Sequence, residues 1–140
     1  MKEIYTANLI AQNNNGKILL VKRAFGNNES GLWSLPGGTK EKNEKIHDTL
    51  TREIKEEIGL NIKKYIHFKT YKIASNDKIV KAYYFTGIIN KSIVLNKKEL
   101  SEYKWFSLEN IPNDLAYNQN IILNELFRKI NKSIDNADRS

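Results

Sequence analysis

The sequence contains no cysteine and only two prolines among its 140 residues. Without cysteine there is no disulfide framework and no thiolate metal site. No hydrophobic run approaches the roughly 20 residues that a membrane-spanning helix needs. The short apolar patch near the N-terminus is not followed by the small-residue cleavage site of a signal peptide. We therefore expect a cytoplasmic protein that has no contact with a membrane.

Positive charge is in excess, with 23 Lys and Arg against 16 Asp and Glu and a net charge of +7. Such a balance favours polyanionic partners, either nucleotides or nucleic acid. A compositional bias towards Lys, Asn and Ile would explain the excess equally well. The length suits one domain with a core of its own, acting as a monomer or a homodimer.

The hydrophobic pattern predicts strands and helices in mixed order. Residues 4–11 and 17–25 flank the turn signal at 13–16 and predict one hairpin, and residues 65–74 and 79–89 predict a second. A short strand is expected at 33–35 and another at 102–108. These elements predict an α/β fold in which a mixed sheet is sandwiched between helices.

Two helices are expected to cover that sheet. Residues 44–58 carry apolar side chains at every fourth position, and Gly59 is a natural stop. A second helix is expected from Leu115 to Ile130, with Ile122, Leu126 and Ile130 on one stripe. We expect the domain to cover residues 1–133 and residues 134–140 to form a polar, frayed tail.

The charge balance reverses between residues 35 and 60. Glu53, Glu56 and Glu57 are three or four residues apart, so they share one side of the predicted helix although like charges repel there. Clustered oxygen ligands suit a hard cation such as Mg²⁺ or Mn²⁺. Arg52 could orient one carboxylate while the others hold metal. The alternative is a solvated charged face with no ligand.

The spacing across this segment resembles the signature of the Nudix hydrolases. Gly38 is followed after five residues by Glu44, and after seven more by the run REIKEEIGL at residues 52–60. The segments LWSLPGG before this box and EYKWFSLENIP near the end of the chain are also similar to the family pattern.

The resemblance implies a role for each residue of the box. Glu56 and Glu57 would bind divalent metal beside the carbonyl of Gly37 or Gly38. Glu53 would be a further metal ligand or would help a base to position water, and Arg52 would orient it. The helix-start carboxylate, Glu44, would have a supporting role.

The resemblance also implies an acidic residue near the tryptophan of the last strand. Lys104 stands directly before Trp105, so the pattern departs from the family at that position. Glu102 is our candidate and Glu99 is the reserve; the alternative is that both lie on a loop surface.

Two polar residues outside the box are candidate substrate contacts. Arg23 ends the second predicted strand, where it would contact substrate or would simply be a solvated strand end. Asn118 opens the last helix; the resemblance implies that it would read a purine edge, and the alternative is an ordinary N-cap.

The expected activity is attack of water on a nucleoside diphosphate linked to a group X. The compact, undecorated domain most resembles MutT-like enzymes, which convert nucleoside triphosphates to monophosphate and pyrophosphate. RNA 5′ ends, nucleotide sugars and ADP-ribose are alternative substrates. A nucleotide-binding regulator without catalytic activity is a further alternative.

Overall fold

The computed structural model describes residues 1–24, 26 and 31–139. Seven strands and two α-helices are found in these residues. In chain order they are β1 (Lys2–Gln12), β2 (Ile18–Arg23), β3 (Trp33–Ser34), β4 (Gly37–Thr39), α1 (Ile46–Ile58), β5 (Ile66–Ala74), β6 (Lys78–Ile88), β7 (Leu100–Phe106) and α2 (Asn120–Arg139). Short 3-10 turns at Leu108–Asn110 and Ala116–Asn118 lead into α2.

The strands form one mixed sheet with β1 at its centre. The central order is β3-β2-β1-β6-β5, while β4 pairs with β1 and β7 pairs with β2. β1 runs parallel to β6 from Lys2 opposite Lys78 to Gln12 opposite Ile88. The predicted β5–β6 hairpin is confirmed as an antiparallel pair. The turn between β1 and β2 is confirmed too, although their pairing is restricted to Gln12 opposite Ile18.

Both faces of the sheet are buried, because side chains alternate between faces along each strand. Leu9 and Leu19 point to the α1 face and pack with Leu50 and Ile54. The neighbouring strand residues Ile10 and Leu20 point the other way and pack beneath α2. The expected sheet between helices is therefore confirmed.

α1 ends where the sequence predicts, whereas α2 begins at Asn120 rather than at Leu115, so that end of the prediction is wrong. The Gly59 N–H donates to the carbonyl of Lys55 at 3.0 Å, and Gly59 has a φ of 72°, which glycine adopts without strain. The predicted stripe of Ile122, Leu126 and Ile130 faces the core.

The last helix extends further along the chain than the sequence predicted. α2 is helical to Arg139, so most of the segment expected to fray is helical. The division of the chain at residue 133 stays a prediction. Phe25, where the second strand was expected to end, lies outside the described residues, and β2 ends at Arg23. None of the helices in the described chain is long and apolar enough to cross a bilayer.

Candidate active site

Two glycines bring the backbone of β4 against α1. β4 pairs with β1, with Gly37 opposite Asn8 and Gly38 opposite Ala7. A Cβ atom on Gly38 would lie 2.3 Å from the Cδ of Glu53, and one on Gly37 would lie 2.2 Å from the carbonyl oxygen of Ala7. Only glycine therefore allows the Glu53 carboxylate to rest directly on this strand.

Arg52 joins the carboxylates of the box. Its Nε and Nη2 donate to the two oxygens of Glu44 at 2.7 and 3.0 Å, which is the bidentate geometry of a strong ion pair. Its Nη1 donates to Glu53 Oε1 at 2.9 Å and lies 3.3 Å from Glu56 Oε2, and Nη2 also donates to the carbonyl of Thr39 at 3.0 Å. This network lowers the pKa of Glu44 to about 2, chiefly through its hydrogen bonds to Arg52.

Glu53 lies in an environment that opposes its ionisation. Its side chain is 14% exposed, and burial raises its pKa to about 7, helped by the nearby charges of Glu57 and Glu56. The hydrogen bond from Arg52 acts in the opposite direction and is outweighed. Glu53 is therefore a carboxyl group that gains and loses a proton near neutral pH.

Glu57 is buried at the foot of the site. Its side chain is 1% exposed, Oε1 accepts the Gly37 N–H at 2.8 Å, and Oε2 lies 2.7 Å from Arg23 Nη1. Burial raises the pKa of Glu57, although Arg23 opposes the effect. Arg23 is 13% exposed, so the alternative of a solvated strand end is wrong. Its Nε is buried and has no hydrogen-bond partner among the described residues.

The chemistry of the box carboxylates suits a hard cation. Their donors are all oxygens, and the pKa of Glu53 records mutual repulsion with Glu56 and Glu57 that a cation would relieve. Glu56 is 48% exposed and can turn towards a ligand, whereas both oxygens of Glu57 are occupied. Accordingly, no three His, Asp or Glu side chains converge on a common point within the described chain. A cation at Glu57 would have to share that carboxylate with Arg23 or displace Arg23 from it.

Glu102 is not brought to this cluster. It lies opposite Lys22, whose Nζ sits 5.5 Å from the centre of the Trp33 ring on the α2 face of the sheet. The box helix lies on the other face. β7 begins at Leu100, and its register with β2 shifts at Ser101, between Leu100 and Glu102. Leu100 packs on the α1 face, whereas Glu102 lies opposite Lys22, so this bulge turns Glu102 away from the box.

Glu99 lies closer to the box than Glu102 does. It stands in the turn before β7, where its carbonyl accepts the N–H of Ala24 at 2.9 Å. Its charge is close enough to contribute to the raised pKa of Glu57. Of the two candidate carboxylates outside the box, Glu99 is therefore the one whose charge reaches Glu57.

Asn118 lines a cavity of about 240 Å³ beside the glycine pair. It has a φ of 54° and is exposed, and α2 begins two residues later, so the alternative of an N-cap is wrong. Arg23 and Gly38 line the same cavity. The structure thus brings both candidate substrate contacts to one space next to the box.

The sequence patterns did not identify two further polar residues of this cavity, Gln119 and Tyr84. Gln119 is almost completely buried and accepts the Leu35 N–H at 2.7 Å through Oε1. The hydroxyl of Tyr84, a cavity residue on β6, lies near the Gln119 side chain, which opposes the rise that burial causes in the pKa of Tyr84. No local signal marks either residue, because their meeting depends on how α2 docks on the sheet.

Residues 2–127 match the NUDIX domain family. The chain is 33% identical over 122 residues to the nucleoside triphosphatase NudI of Escherichia fergusonii, covering 77% of this chain and 83% of that protein. It is 32% identical over 98 residues to mRNA-decapping enzyme subunit 2 of Arabidopsis thaliana, covering 68% of this chain but only a quarter (25%) of that protein. The solved MutT protein from Methanosarcina mazei Go1 superposes with a TM-score of 0.79 and 27% identity, covering 94% of this chain and 96% of that one. The chain therefore belongs to the Nudix hydrolase superfamily, as the spacing of residues 38–60 indicated.

Proposed function

We propose that the chain is a divalent-metal-dependent pyrophosphohydrolase that cleaves a nucleoside diphosphate linked to a group X. Nucleoside triphosphates, cleaved to monophosphate and pyrophosphate, are the preferred substrates in this proposal. The observation that carries it is Glu53, a carboxyl group with a pKa of about 7 that Arg52 holds against Gly38 beside the cavity that Arg23 and Asn118 line.

The cleft residues bind and orient the substrate in this proposal. Gln119 and Tyr84 line this cleft, so the Tyr84 hydroxyl and the Gln119 amide are placed to hydrogen-bond the nucleobase. Asn118 stands at the same cavity with its amide exposed. Arg23 lines the cavity between these groups and the box, so its guanidinium is placed to pair with a phosphate of the substrate.

The reaction needs a base for water and stabilisation of the diphosphate. Water attacks one phosphorus atom, the bridging P–O bond breaks, and Glu53 accepts the proton that the water releases. Mg²⁺ or Mn²⁺ held by Glu56, Glu57 and the Gly38 carbonyl would neutralise the diphosphate and lower the pKa of bound water, while Glu53 stays free of the metal to act as the base. Glu99, rather than Glu102, is the carboxylate outside the box that assists.

The names of the relatives support this class of substrate without selecting one member. One similar protein is a nucleoside triphosphatase and another is an mRNA-decapping enzyme. Both names describe nucleotide-like substrates that contain phosphoanhydride bonds. The preference for triphosphates rests on the 83% coverage of the former relative, against 25% of the latter.

The test is a hydrolysis panel of nucleoside triphosphates, nucleotide sugars, ADP-ribose and 5′-triphosphorylated RNA, each with Mg²⁺ or Mn²⁺. Excess chelator should abolish turnover and added metal should restore it. Glu53→Gln should lower turnover by at least about a hundredfold. Glu109→Gln is the matched control, because Glu109 is exposed on a distant 3-10 turn. Full activity in chelator, or no hydrolysis of any compound in the panel, would refute the proposal.

A further inference from the structure

A basic groove with aromatic side chains runs between the edge strand β5 and helix α2. It encloses about 680 Å³. Its aromatic residues are Phe68 and Tyr71, and its cationic residues are Lys69, Arg128, Lys129 and Lys132. Lys129 Nζ lies 5.2 Å from the centre of the Phe68 ring, which is cation–π distance.

A β-bulge explains why neighbouring residues of β5 both face this groove. The register with β6 shifts between His67 and Lys69, and Phe68 is the extra residue. A bulge re-aims side chains that would otherwise alternate between the faces of the sheet. Phe68 packs on the α2 side, and Lys69 is presented beside it.

Most of the positive charge in the groove is uncompensated. The carboxylate of the groove, Glu125, is held by Lys69 at 2.8 Å and accepts a hydrogen bond from Tyr71. Arg128, Lys129 and Lys132 are exposed and form no ion pair with any described side chain. Three cations therefore face solvent along one side of a groove.

The groove continues from the proposed nucleotide cleft. Ile73 lines the cleft, and Tyr71, two residues earlier on the same face of β5, lines the groove. The rings of Tyr71 and Tyr84 meet edge to face at 6.1 Å, which joins the walls of the two cavities. From Ile73 to Phe68 the strand covers roughly 16 Å at about 3.3 Å per residue. That length matches about five stacked nucleotides at 3.4 Å each.

We propose that the groove between β5 and α2 binds single-stranded nucleic acid that continues from the nucleotide in the cleft. This inference rests on the proposed function, and it adds to the free nucleoside triphosphates a larger substrate class, 5′-triphosphorylated single strands, which carry the same phosphoanhydride bond. Cations along a track contact successive phosphates, while a base that displaces Lys129 from the Phe68 ring stacks there without regard to its identity. An acidic protein would use the cations but would have no comparable use for Phe68 and Tyr71.

The number of phosphate contacts predicts how strongly salt weakens binding. For single strands, the slope of log K against log salt becomes more negative by about 0.7 for each phosphate contact. Three contacts therefore give a slope of about −2, and binding weakens about 18-fold between 50 and 200 mM salt from the groove alone.

The experiment measures fluorescence anisotropy of a 3′-labelled, 5′-triphosphorylated 12-mer, as RNA and as DNA, in chelator so that no hydrolysis occurs. The variant is Arg128→Gln, Lys129→Gln and Lys132→Gln together. The matched control replaces Lys63, Lys64 and Lys91 by Gln; these lysines line a separate cavity beyond the end of α1, and their loss changes the net charge equally. Thermal melting verifies that both proteins are folded.

The groove variant should bind at least tenfold more weakly at 50 mM KCl, with the slope reduced by about 2, while the control keeps the wild-type slope. Equal losses in both variants, no loss in either, or no binding by the wild type would overturn the proposal. So would tighter binding of a 12-residue polyglutamate peptide through the same cations, because that would assign the groove to an acidic protein. Hydrolysis of free nucleoside triphosphates tests the proposed function separately, and the groove substitutions should leave it unchanged.

Discussion

Replacing Glu53 by Gln should make the protein more stable at neutral and alkaline pH. Burial and the neighbouring carboxylates hold the pKa of Glu53 at about 7 in the folded chain, above the 4.5 of a free glutamate. The folded state therefore binds a proton more tightly than the unfolded state does. Glutamine has nearly the same shape and carries no charge to be desolvated, so the substitution removes this unfavourable ionisation.

The sign and size of the effect follow from proton linkage. A carboxyl group with a raised pKa in the folded state lowers stability as pH rises through the window from 4.5 to about 7. At about 1.36 kcal/mol per pKa unit the full difference is about 3.4 kcal/mol. Because the Glu53 side chain keeps 14% exposure, solvent screens part of this, and we expect about 2 to 3 kcal/mol above pH 7.

The assay is thermal and urea unfolding from pH 4.5 to pH 8.5, in chelator so that no cation occupies the box. Near pH 4.5 the Glu53→Gln variant and the wild type should have similar stability. At pH 8 the variant should melt about 6 to 9 °C higher. The exposed Glu109→Gln control should show no such divergence.

A variant that is less stable than the wild type at pH 8 would refute this reasoning. That result would mean that the attraction of Arg52 for the Glu53 carboxylate outweighs the burial and repulsion that act on it. A stability gain that does not vary with pH would also contradict it, because the effect would then be unrelated to ionisation.

Three more outcomes test the geometry of the site. Gly37→Ala should lose more than about 2 kcal/mol of stability, because the added Cβ would clash with backbone. In Gly38→Ala the added Cβ would meet the movable Glu53 side chain, so this variant should mainly lose turnover. Unfolding measurements and kinetics together distinguish the two effects. Glu99→Gln should lower turnover at least about tenfold, because Glu99 lies near the box. Glu102→Gln should lower turnover less. The reverse order would mean that the β7 register is wrong. Arg52→Lys should lower turnover at least about tenfold with little change in KM, because lysine cannot form the two-pronged pair at the helix start. Wild-type kinetics of that variant would show that a point charge suffices.

Short-range patterns in the sequence were enough to predict the main elements. Apolar residues at every fourth position and Gly59 defined α1 to within two residues at its start. Turn residues defined both hairpins. The contact of Arg52 with Glu53 was predictable because the two residues are neighbours on one helix, and the resemblance supplied their roles.

Features that depend on distant segments could not be predicted. The ion pair between Arg23 and Glu57 joins residues 34 positions apart and exists only because β2 and α1 pack together. The face of Glu102 depends on the pairing of β7 with β2, which a single strand pattern does not define. The parallel pairing of β1 with β6 likewise requires a long crossover that carries no local signal.

The arrangement around Arg52 explains why the box needs two carboxylates that differ so much in acidity. One guanidinium contacts both Glu44 and Glu53, yet the pKa of the first falls to about 2 while that of the second rises to about 7. Glu44 receives the bidentate pair and faces no carboxylate repulsion of the same kind, so it stays ionised and fixes Arg52 in place. Glu53 receives a single hydrogen bond and is crowded by Glu57 and Glu56, so it remains free to exchange a proton. In the proposed mechanism, this separation of two pKa values gives Glu44 a supporting role and Glu53 a chemical one. The pair that Arg52 forms with Glu44, eight residues earlier in the box, thus holds the guanidinium beside Glu53 without forcing Glu53 to ionise.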